Sequence, residues 1–396
     1  MPLPLAFRFA GYYAGLKSDP SQLDMAMIVS DTPATAAGVF TQNVVCGAPV
    51  TVARARIPSD DLRLVVVNTR VANTCTGEQG ITDAKTMASV AASKFGLAEE
   101  QAIAMSTGVI GRMLPMEKIL TGIDGLSKTL AANDESFQAA ARGIMTTDLQ
   151  PKFTTRELQT SSGKTIRIAG LCKGSGMIAP NMATMLAVIT TDAALKVNDA
   201  QAMLKRVADV SFNCVTVDGD TSTSDMLVML ANGAADATPL TGNDITNFEK
   251  TLTGLCEELA KKIAADGEGA SHLLTVEVNG CASESDAKQI ARSIAESPLV
   301  KTAIAGGDPN WGRIMCAAGY AGINFKPEKS LLLLNETELF RNGQPVTFEA
   351  SKVSKSIREN FETSVKLTLG EGNANAKLWT CDFTRQYIAI NADYTS

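Results

Sequence analysis

The run Lys173-Gly174-Ser175-Gly176-Met177-Ile178-Ala179-Pro180-Asn181-Met182-Ala183-Thr184-Met185-Leu186-Ala187 constrains this chain more than any other stretch. Glycines at 174 and 176 open backbone conformations closed to other residues, and Pro180 pushes Ala179 toward an extended geometry, so a shaped loop is expected before Ala183. From Met185 to Ile189 the text is unbroken and apolar, then stops at Thr190-Thr191-Asp192. That length suits a strand buried on both faces. Thr184 is thereby expected at a loop-to-strand junction inside the protein. A hydroxyl there, beside the small Ala183, can attack the Ala183 carbonyl, shift the acyl group from nitrogen to oxygen and let water release the ester. The new chain then begins at Thr184, and its α-amine, with an ordinary pKa of about 7.7–8.0, is a local base for its own Oγ. The same residues also suit an ordinary glycine-rich loop leading into a core strand, and they leave both readings open.

At 396 residues and 45% hydrophobic, the chain can bury large cores, in two domains or one layered one. A formal net charge of −6 gives no global attraction for nucleic acid or an anionic membrane, so an anionic substrate must be held by local groups. The eight cysteines include no C-x-x-C pair, which argues against a zinc ribbon or dithiol motif, and they read as buried reduced thiols. No basic leader with a long apolar core opens the sequence, and no run approaches bilayer length, so a cytoplasmic protein is expected.

Taken in order, Leu23 to Phe40 reads as a strand, a Ser/Asp/Pro turn and a second extended piece, and Leu64 to Val67 as a central strand. Asp83 is the expected cap of a helix burying Met87, Val90, Ala91 and Phe95. Lys152 to Lys164 reads as a surface excursion. Asn198 is expected to cap a helix with Ala200, Met203, Leu204 and Val207 on one face, and a longer helix carries Ile245, Phe248, Leu252, Leu255, Leu259 and Ile263. The polar run Val217 to Asp225 fails as a calcium loop, having Thr223 at its sixth position and Met229 at its twelfth. Val365, Leu367 and Leu369 alternate like a strand, and Tyr387 to Ile390 reads as a last one.

Chemistry concentrates in few places. Thr107-Gly108 is a polar turn whose backbone N–H groups could point outward, and Glu268 sits on a glycine-flanked loop that a ligand could approach. Each also reads as plain surface. His272 is the single histidine, and it shares a strand face with Leu274, Val276 and Val278, which points to a structural imidazole. A conventional Ser/His or Cys/His relay would have to use it. Gly306 to Arg313 is too irregular for a phosphate loop or a dinucleotide fingerprint.

Read as blocks, KGSGMIAPNMATMLAVITTDA, VDGDTST and GDPNWGRI followed by AAGYAG resemble the ornithine acetyltransferase (glutamate N-acetyltransferase) family of arginine biosynthesis, and the resemblance runs through most of the chain. It implies an α+β fold, an αββα-type sandwich like that of N-terminal-nucleophile enzymes, cut between Ala183 and Thr184 into segments 1–183 and 184–396 that stay together, usually as α2β2. It implies acetyl transfer from N2-acetyl-L-ornithine to L-glutamate through acetyl-Thr184, with acetyl-CoA a further donor in some members and no cofactor or metal. Thr107 and Gly108 would form the oxyanion hole, and Thr147, Lys173, Thr184, Glu268, Asn391 and Ser396 would line the substrate site. Lys173 makes physical sense there, because an ammonium suits an amino-acid carboxylate. The loop from Asn68 to Gly80 departs from the family at Thr69, Arg70 and Val71, which leaves its role open. The rival readings are an N-terminal-nucleophile amidase or aminopeptidase, and a binding protein without chemistry.

Overall fold

A computed structural model describes residues 1–179 and 185–393. Strand Leu186–Thr191 is buried at every position because each of its faces meets a different core. Ala187 and Ile189 join one, with Leu204 and Val207 of helix Val197–Val210 and Leu255 and Leu259 of helix Gly242–Ala265. Leu186 and Val188 join the other, with Phe7, Phe9 and Phe137. Burying each Val, Leu or Ile side chain contributes about 1.5–3 kcal/mol, which holds this short segment as a strand without help from helix propensity.

The strand lies in a mixed sheet. Across it the order is Ala102–Ser106, Ser59–Asn68, Met25–Phe40, Met226–Ala231, Leu186–Thr191, Thr165–Lys173 and Lys152–Gln159, with Phe7–Tyr12 paired to Met25–Phe40. A second sheet runs Gln344–Pro345, Thr337–Arg341, Leu331–Leu334, Glu362–Thr368, Leu273–Cys281 and Ala374–Cys381. Helix Gly242–Ala265 touches strands of both sheets, and helix Glu284–Glu296 packs on the second. The result is an α+β sandwich.

Several elements differ from the sequence reading. Met25–Phe40 is one strand of 16 residues, because neighbours pair along both halves and the Asp31-Thr32-Pro33 text falls where the register shifts, between Val29 and Ala34. A proline, lacking an N–H, is tolerated at such a bulge. Asp83 lies inside helix Gly77–Ser93, buried and accepting from Gln79 Nε2 at 2.8 Å, since the helix starts through glycines that propensity disfavours. Lys196, not Asn198, flanks helix Val197–Val210. Lys152–Gln159 is a strand rather than an excursion. Its polar text suits a sheet edge held by backbone pairing to Thr165–Lys173 and by Lys262 Nζ on the Phe153 carbonyl at 2.8 Å. Residues Tyr387 to Ile390 belong to helix Arg385–Asp393, and the Tyr387 ring stacks at 4.7 Å on Phe383, which lies just before the helix. Of the cysteines, Cys75 and Cys316 are exposed and Cys46 is half-buried.

Candidate active site

Six loops and ends converge on a cavity of about 160 Å3. It is smaller than the roughly 300–1,000 Å3 of drug-sized sites and suits a small metabolite. Its walls include Thr107, Gly108, Thr147, Lys173, Glu268 and Asn391. Every predicted site residue within the described residues therefore lines one cavity, although these six come from five segments far apart in the chain. Ala183, Thr184 and Ser396 lie outside the described residues.

The Thr107-Gly108 turn follows strand Ala102–Ser106 and is held from behind. Asn68 Oδ1 accepts from Ser106 Oγ at 2.6 Å, Asn68 O from Thr107 N at 3.2 Å, and Arg70 O from Val109 N at 3.0 Å. Gly108 has φ +132°, and a Cβ on it would lie 2.2 Å from the Arg70 carbonyl carbon, so only glycine fits. Among the described residues neither the Gly108 N–H nor the Thr107 hydroxyl has a hydrogen-bond partner. Both are free to meet an oxyanion. The loop that carries Asn68 and Arg70 is itself fixed: Thr69 Oγ1 donates to the Asp24 carbonyl at 3.0 Å, and Arg70 takes a left-handed φ of 72°.

Lys173 ends strand Thr165–Lys173 with 2% exposure, and burial pulls its ammonium below the ordinary lysine range against the opposing fields of Asp148, Asp225 and Glu268. A carboxylate arriving beside it would offset that cost. Glu268 lies against Gly176, where a Cβ would come within 2.4 Å of its carboxylate, and accepts from Asn391 Nδ2 at 2.8 Å. Helix Arg385–Asp393 thus brings Asn391 to the cavity wall, on a helix rather than beyond a strand. Thr147 is half-buried on the loop after helix Asp134–Gly143.

Sequence reasoning missed the carboxylates behind these walls. Asp218 accepts from Met177 N at 2.7 Å and Ile178 N at 2.9 Å, and burial raises its carboxyl. Asp225 accepts from Met185 N at 2.9 Å, burial pushes it well above the usual carboxylate range, and its Oδ2 has no partner among the described residues. The polar run Val217 to Asp225 is therefore a backbone-capping loop. Its Asp/Ser/Thr density was the available signal.

His272 is apart from the cavity. Its Nε2 lies 3.1 Å from the Ile357 carbonyl, which can only accept, and its Nδ1 is 3.1 Å from Asp382 Oδ2. The largest of the described cavities, about 460 Å3, is also elsewhere, lined by Trp379, Lys288, Lys377, Glu257 and Glu284. Its one thiol, Cys214, is pushed up to about 11 by burial and is no nucleophile. No cluster of three or more His, Cys, Asp or Glu among the described residues could hold a metal ion, and no described helix is long and apolar enough to cross a membrane.

The model of the ArgJ family matches residues 8–396. The arginine biosynthesis bifunctional protein ArgJ of Rhodopirellula baltica is 44% identical over 397 residues, spanning 100% of this chain and 96% of that protein. Its Bacillus subtilis counterpart is 44% identical over 394 residues, 99% and 95% of the two chains. The crystal structure of the Bacillus halodurans protein of that name aligns with a TM-score of 0.50 and 41% identity, over 52% of this chain and 97% of its own. Fold and site together define an α+β sandwich enzyme of the ornithine acetyltransferase type. The chain belongs to the ArgJ family.

Proposed function

We propose that the chain is a glutamate N-acetyltransferase that moves an acetyl group from N2-acetyl-L-ornithine to L-glutamate through acetyl-Thr184, after cutting itself between Ala183 and Thr184. The observation that carries the reading is the convergence of Thr107, Gly108, Thr147, Lys173, Glu268 and Asn391 on one small cavity. In the first half-reaction Thr184 Oγ attacks the acetyl carbonyl and its proton passes to the Thr184 amine. The charge on the carbonyl oxygen is met by the Thr107 hydroxyl and the Gly108 N–H, donors that cost no rearrangement. Collapse breaks the carbon–nitrogen bond, the departing ornithine amine takes the proton, and the acetyl group stays on Thr184 as an ester. Glutamate then enters, its amine attacks the ester carbonyl, the bond from that carbon to Thr184 Oγ breaks as the amine proton passes by way of the Thr184 amine to Oγ, and N-acetylglutamate leaves. Lys173 meets the α-carboxylate of each substrate, and Glu268, steadied by Asn391, meets the ornithine side-chain ammonium.

The sheet supports a cut at this point without loss of fold, since Thr165–Lys173 and Leu186–Thr191 are paired neighbours from opposite sides of it. The Bacillus halodurans chain, matched over nearly all its length, corresponds to about half of this one, which also supports a two-piece enzyme. Pairing into α2β2 and the use of acetyl-CoA as a second donor belong to the same reading.

Label exchange tests it. Enzyme given acetylornithine and labelled ornithine, without glutamate, is expected to exchange label between the two, and double-reciprocal plots with glutamate varied should be parallel. Intersecting lines with no exchange would indicate a ternary complex and reject acetyl-Thr184. A base that is an amine also makes His272 dispensable for chemistry. His272→Asn should lower Tm, because the contacts to Ile357 and Asp382 are lost, while kcat stays within a few-fold. A fall of about a thousandfold in folded protein, the scale of losing a general base, would transfer that role to His272.

A further inference from the structure

We infer that Lys152 is a positioning residue of this site, its buried ammonium tying together the three loops that carry Thr147, Lys173 and Glu268. The inference rests on the acetyl-transfer reading above for its kinetic consequence, while the tie itself is geometric. Lys152 opens strand Lys152–Gln159, and its side chain is 2% exposed. Its Nζ lies 2.6 Å from Asp148 Oδ1 and 2.5 Å from Asp266 Oδ2, and donates to the Gln150 carbonyl at 3.4 Å. Each carboxylate in turn holds site backbone. Asp148 Oδ1 accepts from Gly174 N at 2.7 Å and its Oδ2 from Thr146 N at 2.9 Å, fixing the residue before Thr147 and the residue after Lys173. Asp266 Oδ2 accepts from Leu149 N at 3.0 Å, and its carbonyl accepts from Ser175 Oγ at 2.6 Å. Glu268 N donates to the Ser175 carbonyl at 2.9 Å, so the third loop is registered on the second.

Charge makes the arrangement specific. Asp148 is fully buried and burial works against its ionisation, yet the fields of Lys152 and Lys173 and the bond to Lys152 hold it below the usual carboxylate range. Burial likewise works against the Lys152 ammonium, and Asp148 and Asp266 outweigh it and raise it. Lys173 stands within the field of Asp148 but makes no ion pair among the described residues. Lys152 occupies the carboxylate that would otherwise capture Lys173, leaving the Lys173 ammonium for substrate. A buried ion pair is weak support for stability in itself, and an apolar pair of similar volume often does as well. What an apolar pair cannot supply is direction: hydrogen bonds running from one nitrogen through two carboxylates into three loops.

The test separates positioning from folding. Lys152→Met alone leaves Asp148 buried without its partner and should lower Tm. Adding Asp148→Asn removes that charge but keeps only one of the two backbone acceptors, so it should return part of the lost Tm, while kcat/KM for acetylornithine and glutamate stays about 100-fold down, the scale of a small misplacement of reacting groups. Asp266→Asn removes the charge from the tie on its exposed side and so weakens it, keeps an acceptor for Leu149 N, and should lose activity in the same direction at nearly unchanged Tm. Wild-type kcat/KM in folded double variant, or in Asp266→Asn should the double variant not fold, overturns the role. A wild-type protein that transfers no acetyl group counts against the acetyl-transfer reading instead. Amide exchange then decides the tie: the double variant must speed exchange in residues 146–150, 174–176 and 266–268 together, and a change confined to 146–150 overturns it.

Discussion

Thr184→Ala protein is expected to run as a single chain of 396 residues with no acetyl transfer, and the wild type as two pieces, residues 1–183 and 184–396. On the proposed reading the alanine removes the hydroxyl that would attack the Ala183 carbonyl, so no amine would be released and neither nucleophile nor base made. Removing a nucleophile from a catalytic unit costs about 2 × 10⁶ in kcat where it has been measured, so activity should reach background. Thr184→Ser keeps a hydroxyl and should be cut at least in part, with some transfer returning in proportion to the cut fraction. Intact mass spectrometry reads both. Efficient cutting of the alanine protein would remove Thr184 from the mechanism altogether.

Loss of the proposed oxyanion donors should be the next largest effect. Thr107→Val keeps the shape of a buried side chain and deletes its hydroxyl, and the expected loss is about 10²–10³ in kcat, or roughly 2.7–4 kcal/mol of transition-state stabilisation, with KM little changed. Gly108→Ala should do worse. Its φ of +132° disfavours any side chain, and a Cβ 2.2 Å from the Arg70 carbonyl carbon forces the turn off the Asn68–Arg70 backbone that aims it. Both variants should still bind acetylornithine, since Lys173 and Glu268 are untouched. Thr107→Val with kcat within a few-fold of wild type would show that its hydroxyl does not meet the developing charge.

Where local pattern coincided with tertiary environment, the sequence was readable. Met185 to Ile189 is uniformly apolar because both faces of strand Leu186–Thr191 are covered. Helix Gly242–Ala265 shows its buried stripe at i, i+3 and i+4, and His272 shares the face of Leu274, Val276 and Val278 in the buried set, as alternation requires. The motif residues Thr107, Gly108, Thr147, Lys173, Glu268 and Asn391 could be named in advance, but only by resemblance, because six short polar signals each suit an ordinary loop.

Elsewhere the environment overruled the local text. Tyr387 to Ile390 is apolar enough for either a strand or a helix. The Phe383–Tyr387 stack goes with the helix. Lys152 looks like the start of a solvated stretch, since a lysine's charge favours water. It is buried because two carboxylates from residues 148 and 266 reach it, and nothing in the neighbouring letters announces a partner more than a hundred positions away. Periodicity and turn chemistry are properties of adjacent residues, so the chain by itself determined its buried strands, its long helices and its glycine-bent loops. Charge pairing across loops and the meeting of residues from five distant segments around one cavity depend on through-space distance in a low-dielectric interior, and only the tertiary structure decided those.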